Sequence, residues 1–211
     1  SVEGKLSVPL VEQLLEARRF NDLGDELRRL VSNWLKDNDK FNFGDEALLK
    51  ALINVAACQD RPCAGAALEM LAIGAQQLGK DEMSTKALET IKTRIETDRE
   101  ATTSEQYNLL IKAATALRYL QSKEGALTLL DFLDERFNTM FAKYKKRIGR
   151  QSDFKDFWTR SLPQVPRSFK GLEVDAYAVP DVVVSLSSLA QDLEGDYKAW
   201  SAKVRTFLNG Q

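Results

Sequence analysis

Apolar residues recur along this chain at steps of three and four, a spacing that predicts α-helix nearly throughout. The longest such series, Leu127, Leu130, Leu133, Phe137, Met140, Phe141, Tyr144 and Ile148, lies on one face of a long helix. Nearer the start, Pro9 to Phe20 reads as a short helix with Leu10, Leu14, Leu15 and Ala17 inward. Asn21-Asp22 is expected to break and recap the chain, and a second helix runs to about Lys36 with Leu23, Leu27, Leu30, Val31 and Trp34 apolar. The polar run KDNDKFNFGD is a connector. Asp45 suits the N-cap of a third helix, ALLKALINVAAC, while Pro62 opens a fourth that ends at Gly79. Ala56, Ala57, Gly65, Ala66 and Ala67 let helices approach closely, so this pair is expected to be central.

A more polar helix follows over Glu82 to Asp98. Its stripe is Met83, Ala87, Leu88, Ile91 and Ile95, which leaves Lys86, Glu89, Lys92, Arg94 and Glu96 to water. Thr103 and Gln106 have capping-box spacing and start the next helix. Ser122-Lys123 separates that helix from the long one. Past Gly149, Phe154, Phe157 and Trp158 mark a short aromatic helix, followed by nineteen irregular residues, LPQVPRSFKGLEVDAYAVP. Within them VDAYAV is the single candidate strand. Asp181 caps a helix through Leu193, Gly195 breaks it, and DYKAWSAKVRTFL closes the chain.

The reading is an all-α fold of nine to ten helices as stacked antiparallel hairpins, either a helical bundle or a short α-solenoid. One domain over 1–211 is expected, with a helical core at 1–150 and a C-terminal extension at 151–211 as the alternative division. ALLKALINVAACQDRPCAGAALEML and NLLIKAATALRYLQSKEGALTLLDFL echo one another as apolar helix, polar turn, apolar helix. The fixed positions of a tetratricopeptide do not fit them: its tryptophan and glycine slots fall on Leu110 and Ala114. No family resemblance is drawn.

Composition adds limits. With 211 residues, 44% hydrophobic and 29% charged, the chain is long and apolar enough to bury a core unaided. No apolar run is long enough to span a bilayer, and SVEGKLSVPL lacks the basic start and apolar run of a signal peptide, so a cytoplasmic, intracellular protein is expected. Ser1 and Gln211 suit both a viral polyprotein product cut after glutamine and an arbitrary boundary. Cys58 and Cys63 flank the turn in CQDRPC and are expected to be reduced and half-buried at a helix corner, although a disulfide there is geometrically feasible. Trp34, Trp158 and Trp200 are expected to anchor core.

Chemistry is bounded by what the chain lacks. It has no histidine, so histidine-dependent nucleophile systems and helical di-iron ligand sets do not apply. Two cysteines cannot complete a zinc tetrahedron, and neither phosphate-binding glycine motif occurs. Carboxylates one turn apart, such as Asp131 with Glu135 and Glu12 with Glu16, ordinarily solvate a helix face. No enzymatic activity, cofactor or metal is expected.

Charge is the one strong asymmetry. Between Arg136 and Lys170, ten Lys and Arg face only Asp153 and Asp156, net +8, so the rest of this −1 chain sums to −9. The cations are Arg136, Lys143, Lys145, Lys146, Arg147, Arg150, Lys155, Arg160, Arg167 and Lys170, with Trp158 and Phe169 among them as aromatic contacts. Three readings stand: a phosphate-binding face for single-stranded RNA or DNA, a contact for an acidic protein partner, or a solvated helix end favoured by the dipole. The expectation is a non-catalytic protein–protein interaction or scaffold module, with a protein partner and no membrane. Nucleic-acid binding through residues 136–170 is the alternative.

Overall fold

A computed structural model describes residues 6–147 and 193–210. Among the described residues the protein is all-helical and holds no strand. Its α-helices are α1 (Val8–Glu16), α2 (Phe20–Lys36), α3 (Glu46–Ala56), α4 (Arg61–Leu78), α5 (Asp81–Thr97), α6 (Ser104–Leu120), α7 (Lys123–Arg147) and α8 (Leu193–Asn209), with a 3-10 turn at Asn38–Lys40. Eight helices among the described residues fall short of the nine to ten expected. The aromatic helix at Phe154–Trp158, the candidate strand VDAYAV and most of the helix expected from Asp181 lie outside the described residues. The chain forms two compact units, Ser1–Leu120 and Gln121–Gln211. No described helix is long and apolar enough to cross a membrane.

The first unit is built around α4. Thirteen of its eighteen residues are buried, in an unbroken run from Cys63 to Ala75. Burial on every side makes it the central helix. Its most extensive neighbour is α6, ahead of α3 and α2, so the expected α3–α4 pairing holds but is not the dominant one. Small residues decide this: Gly65, Ala66 and Ala67 on α4 and Ala113, Ala114 and Ala116 on α6 are all buried. Both ends of α4 are marked by local chemistry. Cys63 donates its N–H to the Asp60 carboxylate at 2.8 Å, Pro62 occupies the first turn, and Gly79 closes the helix at φ 67°.

The connector before α3 is tied down. Phe43 is buried and donates its N–H to Gln77 Oε1 at 2.7 Å, while Gln77 Nε2 donates to the Phe41 carbonyl at 2.8 Å. Gly74 admits this segment, because a Cβ there would lie 2.5 Å from the Phe43 oxygen and from Leu49 Cδ2. The caps read from the sequence are present. Asp45 accepts from Leu48 N–H at 2.8 Å, and Thr103 and Gln106 exchange bonds of 3.3 and 3.2 Å.

The start of the chain differs from expectation. α1 buries Val11, leaves Leu10 42% exposed and Ala17 in solvent, and ends at Glu16. The break comes at Arg18, φ 56°, and Phe20 opens α2 instead of closing α1. A nine-residue helix presents only a narrow inward stripe, here Val11 with half-buried Leu14 and Leu15 three and four residues on, which leaves Leu10 and Ala17 outside it.

In the second unit α7 and α8 pair antiparallel: Asp131 and Asp134 meet Arg205, and three residues further along α7, Phe137 meets Tyr197 near the start of α8. Phe137 stacks on Tyr197 with centroids 3.8 Å apart and planes within 4°. Ala126, Leu129, Leu130, Phe132, Leu133, Phe137 and Phe141 are buried on one element; Tyr197, Ser201, Val204 and Leu208 are buried on the other. Leu127, expected inward, is only half-buried. Gly195 does not break the helix, because α8 begins at Leu193 and runs through it. One glycine in a first turn costs under about 1 kcal/mol, which the tyrosine and leucine anchors exceed.

Candidate functional site

The basic segment singled out in the sequence is placed in part. Arg136 is half-buried on α7, and Lys143, Lys145, Lys146 and Arg147 occupy that helix's last two turns. One continuous helix therefore carries five of the ten cations. Arg150, Lys155, Trp158, Arg160, Arg167, Phe169 and Lys170 lie outside the described residues. Earlier on the same helix Phe137 and Phe141 are buried, with rings 5.4 Å apart.

A second constellation, which the charge pattern alone did not mark, sits at the corner between α3 and α4. Asp98 has no exposed side-chain surface and accepts from two guanidiniums, Arg61 Nε at 2.8 Å and Arg94 Nε at 3.0 Å. Arg94 Nη1 donates onward to the Cys58 carbonyl at 2.8 Å and the Ala56 carbonyl at 3.3 Å. Ala56 is the last residue of α3, whose carbonyl has no partner within that helix, and Cys58 lies in the turn just beyond it. One ionic group thus holds the C-terminus of α3, the N-terminus of α4 and the C-terminus of α5. Arg94 was expected in water. The stripe that is buried runs Met83, Ala87, Ile91, Arg94, Asp98, at steps of four, four, three and four. The register itself was the available signal; hydrophobicity drew the reading to Leu88 and Ile95, which are only half-buried.

Cys58 and Cys63 lie at the same corner as free thiols; Cys58 is half-buried as expected, whereas Cys63, expected half-buried too, is fully buried in the first turn of α4. Nearby, Glu69 of α4 is buried and meets Lys112 Nζ of α6 at 3.1 and 3.3 Å. Burial pushes its carboxyl above the usual range, and Lys112 opposes that rise.

Two clefts flank this corner. The larger, about 490 Å³, runs between α3 and α5: Ile53, Ala56 and Ala57 lie on one side, Thr90, Thr93 and Thr97 on the other, with Lys86 and Glu89 at the rim. Thr90 and Thr97 turn their hydroxyls to the backbone carbonyls of Lys86 and Thr93, so the helix wall exposes their methyls. A smaller cleft of about 270 Å³ is bounded by Arg28, Arg61, Lys112, Glu105 and Pro62.

Of the tryptophans, Trp34 is half-buried and meets Tyr119 edge-on at 5.3 Å, and Trp200 lies 5.5 Å from Tyr197. Trp158 lies outside the described residues. Among the described residues no group of three or more carboxylates or cysteines is placed to hold a metal ion. No protein-family model, curated protein or solved structure matches this chain.

Proposed function

We propose that this protein is a non-catalytic helical interaction module that receives a segment of a protein partner in the cleft between α3 and α5. The observation that supports this is the cleft's make-up: about 490 Å³ open to solvent, with an aliphatic side, a wall of threonine methyls and one charge of each sign at the rim. Such a mixture suits apolar anchors framed by polar contacts. In this reading unit 1 is a stack of antiparallel hairpins, with α3–α4 as the rigid support. Burying one leucine-sized anchor contributes about 1.5–3 kcal/mol, so Ile53→Arg is expected to weaken the complex by at least about tenfold. The test is site-specific photocrosslinking from Thr93 in the protein's own cells, with exposed Asp39 as the control position. A discrete adduct from Thr93 alone, lost in Ile53→Arg, supports the module; adducts equal at both positions, or unchanged by Ile53→Arg, overturn it.

The charge asymmetry favours a second reading, single-stranded nucleic-acid binding through residues 136–170, where an acidic protein partner would also be suited. Fluorescence anisotropy with a labelled random single-stranded RNA at low and physiological salt decides it. Saturable binding that falls steeply with salt and disappears when Lys145, Lys146 and Arg147 are changed to Glu supports this reading. Absence of binding at low salt ends it.

A further inference from the structure

We propose that Cys58 and Cys63 form a reversible dithiol–disulfide couple at the α3–α4 corner, in which Cys58 is the sulfur oxidised first and Cys63 resolves it. These are the chain's only two cysteines. They differ in access: Cys58 is half-buried in the turn, whereas Cys63 is buried in the first turn of α4. Asp60 gathers both. Its carbonyl accepts from the Cys58 thiol at 3.4 Å and its carboxylate accepts from the Cys63 N–H at 2.8 Å. The Cys63 thiol is near enough to the Cys58 sulfur for each to shift the other's hold on its proton. Arg94 holds the Cys58 carbonyl, so the residue is fixed from both sides.

The roles follow from this arrangement. A hydrogen bond from the Cys63 thiol lowers the Cys58 thiol to about 7, against burial and the negative charge of Asp60, and the Asp60 backbone and the Arg94 guanidinium act in the same direction as Cys63. The same bond, with burial, holds the Cys63 proton tightly. Near neutral pH the accessible sulfur is thus substantially thiolate while the shielded one is a thiol. The thiolate of Cys58 attacks one sulfur of a small disulfide such as oxidised glutathione, and that S–S bond breaks with departure of one glutathione thiolate. Cys63 attacks Cys58 Sγ, the mixed disulfide breaks, and the second glutathione departs as the thiol with the Cys63 proton. Two protein thiols are oxidised and one disulfide is reduced to two thiols. Residues 57–60 are a non-helical turn, which can close the sulfurs to bonding distance without unwinding α3 or α4.

The experiment incubates the folded full chain with oxidised glutathione, followed by alkylation and intact mass. The expected product has lost two hydrogens, carries no glutathione and resists alkylation at both cysteines until reduced. Cys63→Ser is expected to stop at a glutathione adduct on Cys58, and Cys58→Ser to remain unmodified. A wild-type chain that keeps two alkylatable thiols, or that accumulates a stable glutathione adduct, overturns the proposal. Circular dichroism before oxidation identifies a variant that has not folded; the wild-type masses decide the matter without it.

Discussion

Two aspartates, one in each unit, organise guanidiniums around them in opposite circumstances. Asp98 is sealed: its side chain is 0% exposed, Arg94 is 10% exposed, and Arg94 Nη1 donates to the carbonyls of Ala56 and Cys58. Asp134 is 28% exposed and shares Arg205, itself 36% exposed, with the mostly solvated Asp131. It also accepts from the Ser201 hydroxyl at 2.8 Å. The bond lengths are similar, yet the consequences are not. Water can replace Arg205 at Asp134, whereas it cannot reach the Asp98 carboxylate itself. Burial, more than distance, decides what an ion pair is worth to the fold.

Removing each acid measures that difference. Asp98→Ala leaves a buried guanidinium without its counter-ion and is expected to cost about 3–5 kcal/mol in urea unfolding followed by circular dichroism. Asp134→Ala frees Arg205, which can turn to water, but leaves the buried Ser201 hydroxyl without its acceptor, and about 1–2 kcal/mol is expected. Equal losses would mean that burial is not what separates the two groups.

Glu69 sharpens the comparison, because it is buried like Asp98 while its one partner, Lys112, is 45% exposed. Its carboxyl is raised above 4.5 in the folded state, so the folded chain holds this proton more tightly than the unfolded one. Its contribution to stability is therefore greatest in acid and declines as pH rises from 4.5 through the folded value. Glu69→Gln should remove that decline, which a series of unfolding curves between acid and neutral pH will register as a flatter slope. At the bottom of the scale is Asp25, which pairs with Arg28 three residues on, the two side chains 75% and 40% exposed. Asp25→Ala should change stability by less than about 0.5 kcal/mol in the same assay.

Arg94 and Asp98 also show where sequence reading stopped short. A four-residue Arg–Asp spacing is indistinguishable from an ordinary surface pair on an exposed helix, such as Glu82 with Lys86, which does lie at the surface. What separates them is whether another helix end lies opposite, and that is a property of packing. Likewise Gly195 has the composition of a break but lies in α8, where anchoring by Tyr197 offsets its cost. The basic cluster was the reverse case: its existence, and the place of Arg136, Lys143, Lys145, Lys146 and Arg147 on a helix, were plain from residue order, since charge and periodicity are local.

The sequence by itself determined that the described residues are helical, where most of their helices start and stop, and that Asp45, Thr103 and Gly79 mark helix ends. Those features depend on residues within a turn or two of one another, so their chemistry is written in order along the chain. Only the tertiary structure decided that α4 is central with α6 as its main neighbour, that Gln77 and Gly74 receive the Phe43 connector, and that Asp98 joins three helix ends. Each of these sets partners thirty or more residues apart, and burial, which sets their strength, exists only once the helices have packed.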